Sequence, residues 1–284
     1  MTRYLVTGAQ GMLGGRIVQA LEGRHTVALT REDLDITSRD QVFEATAGAD
    51  IIINAAAYTD VDDAEINPER AMAVNARGPE NLALAASRSG AVFLHVSTDY
   101  VFDGLGHEPY REDAVPNPLS AYGRSKAVGE SMARAAHPQA TVIVRSAWVY
   151  DTLGRNFATT ILDRAAREEP LAVVDDQRGQ PTWAVDLADA IVRALDHGVT
   201  RGVLHATSTG QASWFDFAQA LLAARGLDPD LISRLSSDQL PRRAPRPAYS
   251  VLGHARWRDL GLSPIRHWRE GALAAFSEAK FSTQ

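Results

Sequence analysis

The chain of 284 residues contains no cysteine. That absence excludes disulfide cross-links, thiolate nucleophiles and sulfur-ligated metals, and it fits a reducing compartment. No apolar run approaches the ~20 residues needed to cross a bilayer. The N-terminus also lacks a basic segment followed by an apolar stretch and a cleavage site. A cytoplasmic protein without a membrane anchor is therefore expected. An excess of positive charge is missing too: 29 Lys and Arg stand against 35 Asp and Glu, for a formal net charge of −6. A nucleic-acid-binding surface is not expected, although a local basic pocket is compatible with that balance. The 8 histidines are scattered without metal-ligand spacing, and His95 reads as a strand residue facing the core or the next helix. No internal repeat or low-complexity segment is evident. What is present is an ordinary globular composition, 45% hydrophobic and 23% charged. Such a chain can bury a large core as one α/β domain, or as a large domain with a small annex.

The pattern along the first half is alternating. Tyr4-Leu5-Val6-Thr7 reads as a short buried strand. The glycine-rich turn Gly8-Ala9-Gln10-Gly11-Met12-Leu13-Gly14 follows, and then a helical pattern through Ile17, Val18 and Leu21. Strand, glycine turn and helix in that order form a dinucleotide site, because the glycines admit the backbone to a pyrophosphate and the helix N-terminus offers free N–H groups. The spacing is GxxGxxG, not the GxGxxG of the usual fingerprint; an ordinary glycine-rich turn is the alternative. Further strands are expected at Thr26–Leu29, Asp50–Asn54, Val92–Val96 and Thr141–Val144. Helices are expected from Ser38, as cap, to about Thr46, from about Pro68 to Arg88, and around Tyr122. This βαβαβ repetition predicts a Rossmann-type doubly wound parallel sheet with helices on both faces. Its ligands sit at the carboxyl ends of the strands. Gly8, Asn54, Ser97 and Arg145 fall there, so the glycine loop, Thr98 and Trp148 should converge on one crevice. Residues 1–150 are expected to form this dinucleotide-binding domain. Residues 151–284 are expected to form a smaller mixed α/β region, with some chain crossing back. Helices are predicted there at Phe157–Arg167, Val185–Asp196 and Trp214–Arg225, and a strand at Leu171–Val174.

Tyr122 and Lys126 lie four residues apart and so share one helix face. An ammonium beside a phenol favours the phenolate and lowers its pKa from about 10 toward working pH. A phenol tuned in this way can hand a proton to an alkoxide as hydride reaches carbon.

These residues, with Asn54-Ala55-Ala56-Ala57-Tyr58-Thr59, Val74-Asn75, Ser97-Thr98-Asp99-Tyr100-Val101-Phe102, Trp148-Val149-Tyr150, Asn156-Phe157 and Asp176-Gln177-x-Gly179-x-Pro181-Thr182, resemble the extended short-chain dehydrogenases/reductases. Within that class they are similar to the dTDP-4-dehydrorhamnose reductases. The resemblance runs in order through most of the chain. It implies reduction of the C4 ketone of a dTDP-4-keto-6-deoxysugar by a nicotinamide cofactor. By position, Tyr122 would donate the proton, Lys126 would hold the nicotinamide ribose, and Thr98 would hydrogen-bond the substrate oxygen. Asp99, Tyr100 and Trp148 would line the sugar site together with Asn156. Trp148 alone also reads as a core aromatic. Gly8, Gly11, Met12, Leu13 and Gly14 would cradle the cofactor, Asp35 and Ile36 would lie near adenine, and Ala55 to Thr59 with Val96 would run along ribose and nicotinamide.

Cofactor choice turns on the end of the second strand, where an acidic residue usually holds the ribose 2′-OH. Thr30-Arg31 stands there. An arginine suits a 2′-phosphate, so NADPH is expected. Alternatively Glu32 or Asp33 turns inward to hold NADH, or Arg31 faces solvent. The segment Leu240-Pro241-Arg242-Arg243-Ala244-Pro245-Arg246-Pro247 reads as a solvated loop or as a diphosphate site. The resemblance favours Arg246 for that role. Related 4,6-dehydratases carry Thr-Asp-Glu where this chain has Tyr100, and 4-epimerases usually carry a serine pair, so neither fits. Some relatives dimerise through a magnesium ion held by glutamates. Trp183-Ala184-Val185-Asp186 stands in that stretch, so no metal is expected, and the chain should be a monomer or weak homodimer. Two alternatives remain: a non-catalytic nicotinamide-nucleotide-binding regulatory subunit, as the family also includes, or a 4-ketoreductase for another deoxysugar in secondary metabolism.

Overall fold

The computed structural model describes residues 1–277; the end of the expected 151–284 region, residues 278–284, lies outside the described residues. Strands β1 (Arg3–Thr7), β2 (His25–Leu29), β3 (Ile51–Asn54), β4 (Val92–Thr98) and β5 (Thr141–Ser146) form where short apolar, β-branched runs stand in the sequence. Together with Gly202–His205 they make a parallel sheet of 6 strands, ordered β2-β1-β3-β4-β5 and then Gly202–His205. Helices α1 (Met12–Ala20), α2 (Arg39–Ala45), α3 (Pro68–Met72), α4 (Gly78–Ser89) and α5 (Ala121–Ala136) lie in the crossovers.

Alternate strand residues point to opposite faces. Val6, Ile53 and Leu94 pack with Ile17 of α1 and with Leu187 and Ile191 of the helix Ala184–Asp196. Their neighbours Leu5, Ile52 and Phe93 pack with Val42, Leu82 and Ala133 of α2, α4 and α5. Each such fully buried Val, Leu, Ile or Phe side chain stabilises the fold by about 1.5–3 kcal/mol. Covering both faces explains why Ile51-Ile52-Ile53 is apolar without alternation. The architecture is the Rossmann-type doubly wound sheet that the alternating pattern predicts.

Two elements differ from expectation. Ser38 occupies the N-cap position of α2 but its side chain makes no capping hydrogen bond. The helix expected from Pro68 to Arg88 contains a π turn, Ala73–Arg77, between α3 and α4. The widened turn brings the Asn75 amide against the loop after β3. Its Oδ1 accepts from the Tyr58 N–H (2.8 Å) and its Nδ2 donates to the Tyr58 carbonyl (2.9 Å). Local hydrogen bonding here wins over α geometry, as at many functional π turns.

A second core gathers Phe217, Leu221 and Trp268 from the helices Trp214–Ala224 and Trp268–Phe276, beside the helix Phe157–Ala165. The predicted strand Leu171–Val174 pairs with Ile232–Leu235. Among the described residues, no helix is long and apolar enough to cross a membrane. Because β1 lies between β2 and β3, the loops leaving β1 and β3 diverge there and open the crevice of a topological switch point.

Candidate active site

Gly8 leaves β1 at that crevice with φ of 71°, a left-handed conformation that favours glycine. A Cβ there would lie 2.6 Å from the Ala56 nitrogen, and one on Gly14 would fall 2.0 Å from the Gly8 carbonyl oxygen. These glycines thus let α1 begin against the end of β1. Gly11 caps α1 without a side chain, and the first turn holds no acidic residue. The positive helix end is left to an anion, which fits the pyrophosphate of a dinucleotide. The cleft above it is about 1270 Å³, larger than the about 300–1,000 Å³ typical of one small-ligand site.

Beyond β2 the Asp33 carboxylate accepts from both the Thr30 N–H (2.8 Å) and its hydroxyl (2.7 Å). Those bonds, the hydroxyl's first, hold Asp33 below the usual carboxylate range. Arg31 lines the cleft, and neither Glu32 nor Asp33 does. The alternative in which one of these acids turns inward therefore has no counterpart in the structure, whereas Arg31 is both exposed and at the cleft.

Asn75 also ties the loop after β3 to α5. Its Nδ2 also donates to Ser125 Oγ (3.0 Å), whose hydroxyl donates to the Tyr122 carbonyl (2.7 Å). Ser120 caps α5, its Oγ accepting from the Gly123 N–H (3.1 Å). Glu65 Oε1 accepts from the Ala121 N–H (2.6 Å). Tyr122 and Lys126 then reach the cleft from successive turns. Lys126 Nζ donates to the Val96 carbonyl (2.7 Å) and lies 3.3 Å from His95 Nε2. Burial pushes Lys126 down to about 8, against the opposing charge of Glu130. Burial also pushes Tyr122 up to about 12, the Thr98 hydroxyl opposing it. The expectation that Lys126 brings this phenol toward working pH is not met, because desolvation of the phenolate is the largest influence.

Thr98 ends β4. Its hydroxyl accepts from the Tyr100 N–H (3.2 Å) and donates to Asp99 Oδ1 (3.0 Å). Burial pushes Asp99 up to about 6, with hydrogen bonds from the Ser250 and Thr98 hydroxyls opposing it. The Tyr100 ring meets the Tyr122 ring edge-on, centroids 5.7 Å apart. Trp148 adopts φ of 46°, uncommon for a bulky residue. It stacks on Trp214 at 3.6 Å. Its ring occupies the space beside Gly179, where a Cβ would lie 2.3 Å from Trp148 Cε2. Trp148 is thus a wall of the cleft and not a core aromatic.

All residues expected at the cofactor line this cleft, as do Thr98, Asp99, Tyr100, Trp148 and Asn156. Asn156 is committed locally: its Oδ1 caps the helix Phe157–Ala165 and its Nδ2 donates to the Asp151 carbonyl (2.8 Å). Arg246 is the exception. It does not line the cleft, and its Nη2 pairs with Asp62 (2.8 Å) while Nη1 donates to the Ala244 carbonyl (3.0 Å). Its charge and that of Arg242 still act on the Tyr100 phenol. Sequence reasoning assigned no role to Asn54, Asn75, His95 or Trp214. For Asn54 and Asn75 a signal stood in the motifs that begin at Asn54 and Val74; for His95 and Trp214 only the fold supplies it.

A glycine-cradled switch-point cleft entered by Tyr122 and Lys126 from one helix defines the class, an extended short-chain dehydrogenase/reductase. Residues 2–281 match the RmlD substrate binding domain, and the chain belongs to that family, the dTDP-4-dehydrorhamnose reductase family. It is 47% identical to a dTDP-4-dehydrorhamnose reductase of Mycolicibacterium smegmatis, over 94% of this chain and 83% of that protein. It is 44% identical to a dTDP-4-keto-6-deoxy-D-glucose reductase of Streptomyces niveus, over 96% of each. Among solved structures, the dTDP-4-dehydrorhamnose reductase of Bacillus anthracis in complex with NADP superposes with a TM-score of 0.93 at 35% identity, covering 97% of this chain and 99% of that one.

Proposed function

We propose that this protein reduces the C4 ketone of a dTDP-4-keto-6-deoxysugar with NADPH, in deoxysugar biosynthesis. The observation that carries the proposal is the meeting of Thr98, Tyr122 and Lys126 with the glycine cradle in one cleft, in a chain of this reductase family. A reduced nicotinamide bound there supplies hydride. Tyr122 gives its phenolic proton to the oxygen of the carbonyl under reduction. Lys126 holds the nicotinamide ribose, and its positive charge favours the phenolate that Tyr122 becomes. Thr98 orients the substrate oxygen, with Asp99, Tyr100 and Trp148 around the sugar and Asn156 shaping the wall through its helix cap. Residues 1–150 serve mainly the cofactor and 151–284 mainly the sugar nucleotide, to which Phe157 and Trp214 add apolar wall. For the diphosphate Arg246 remains the candidate, provided that it exchanges Asp62 for the ligand.

NADPH in preference to NADH is supported by Arg31 at the cleft and by the engagement of Asp33 with Thr30. Tyr100, where dehydratases carry glutamate, supports reduction over elimination. The intact Thr98, Tyr122 and Lys126 support an enzyme over a regulatory subunit. A cytoplasmic monomer or weak homodimer belongs to the same proposal. The relatives act on sugars of more than one series by name, so a reductase of another deoxysugar is the second reading. Purified protein with NADPH and dTDP-4-keto-6-deoxyglucose, with and without a 3,5-epimerase, separates these readings. Cofactor oxidation that needs the epimerase supports the dehydrorhamnose-type substrate. Oxidation without it supports the second reading, and no oxidation with either nicotinamide cofactor contradicts the first and points to an untested sugar or to a regulatory subunit.

A further inference from the structure

Beneath the cleft, a buried chain of hydrogen bonds runs from the loop after β3 to Lys126. The Ala56 N–H (3.1 Å) and the Thr7 hydroxyl (2.7 Å) both point at Asn54 Oδ1. A backbone N–H cannot accept, so the orientation of the Asn54 amide is fixed, with Nδ2 on the other side. There Asn54 Nδ2 meets His95 Nδ1 at 2.9 Å, across the strand register that pairs Asn54 with His95. Nδ1 must therefore accept. Both side chains are fully buried, and burial, with the Lys126 charge added, pushes His95 well below its ordinary pKa. A neutral imidazole carries one hydrogen, and with Nδ1 accepting, that hydrogen stands on Nε2. Nε2 faces Lys126 Nζ at 3.3 Å.

We propose that Asn54 and His95 wire the Ala56 amide to Lys126, with His95 a positioning residue whose Nε2–H is held against the Lys126 nitrogen. The ammonium form of Lys126 meets this N–H as donor against donor, whereas the neutral amine accepts it. The link thereby favours release of the Lys126 proton. Among the described residues, the other charge that acts on Lys126 is Glu130, one turn further along α5, and Tyr122 stands one turn before it. The Glu130 carboxylate is engaged by the Ser97 hydroxyl (2.6 Å) and by Arg145 (2.7 Å). Because Ala56 lies in the loop expected along the cofactor, loop position and Lys126 acidity are coupled. The functional meaning rests on the proposed role of Lys126, but the link itself can be tested without substrate or turnover, so its failure and that of the reductase assignment are distinguishable.

Long-range proton–nitrogen correlation on protein labelled at histidine, with His95 assigned through His95→Gln, reads the tautomer directly. The hydrogen is expected on Nε2 alone, with no titration between about pH 5 and 9. A hydrogen on Nδ1, or a His95 that titrates in that range, overturns the proposal even if no variant folds. The chain has 2 lysines, Lys126 and Lys280, so carbon labelling at lysine reads the Lys126 titration with little overlap. Asn54→Asp puts an acceptor opposite Nδ1. It should move the hydrogen there and raise the Lys126 midpoint by about half a pH unit or more. A cycle with His95→Gln separates the tautomer from the added charge. The rise should fall to about half or less in the His95→Gln background, and an equal rise in both backgrounds overturns the link.

Discussion

Tyr122 and Asp99 carry the sharpest consequences for single side chains. Removal of the phenolic hydroxyl in Tyr122→Phe should lower turnover by about 10²–10⁴-fold. NADPH affinity, read by fluorescence titration, should stay within about twofold, since the glycine cradle and Lys126 are untouched. Asp99 makes a stability prediction with a definite sign. In the folded chain it holds its proton up to about pH 6, against about 3.9 when unfolded. Between those values the folded state binds more protons. The stability tied to Asp99 is therefore complete below about pH 4 and is lost as pH rises through about 6. Asp99→Asn should be more stable than the parent at pH 7 by on the order of 1–3 kcal/mol, with the difference closing below about pH 4. Urea midpoints at the two pH values check it.

At the scale of elements, α5 is the part on which the site depends, and its docking depends on Gly129. A Cβ there would lie 2.0 Å from the Asn75 carbonyl oxygen of the π turn. Gly129→Ala should therefore push α5 away and lower stability by about 1–3 kcal/mol, measurable as a lower Tm, with a loss of turnover because Tyr122 and Lys126 move with the helix. Strand and helix positions around these elements were largely legible: Leu171–Val174 matches to the residue, and five strands of the sheet stand at apolar, β-branched runs. The π turn was not legible. Five residues of wider pitch leave no periodic mark, and the bonds that favour it come from Tyr58, distant in sequence. Nor does a tryptophan announce φ of 46° at Trp148, where stacking on Trp214 wins over backbone preference. The Asn54–His95 contact was hidden for a related reason, since the register of two parallel strands sets it.

Over the whole molecule, the alternation of strand and helix implied the sheet, and strand order then brought the motif residues to one cleft. Arg246 shows the limit of that reasoning. A basic, proline-rich loop marks affinity for negative charge, but in the folded protein the nearby partner is Asp62. The same cleft sets a pH dependence. Lys126 is pushed down to about 8, so the ammonium is lost as pH rises through that value. NADPH affinity should weaken above about pH 8 and level off below it, as titration across the range would reveal. Arg31→Ala should lower NADPH affinity by about tenfold or more, with little change for NADH, as competitive binding would measure. The most direct test of the central claim is transfer of label. The protein would be incubated with dTDP-4-keto-6-deoxyglucose, a 3,5-epimerase and NADPH deuterated at the reactive carbon of the nicotinamide, using each stereoisomer in turn. We expect one stereoisomer to deliver one deuterium to C4 of the sugar, seen by mass and proton spectra; a ketone returned unreduced, or deuterium at any other carbon, would contradict the assignment.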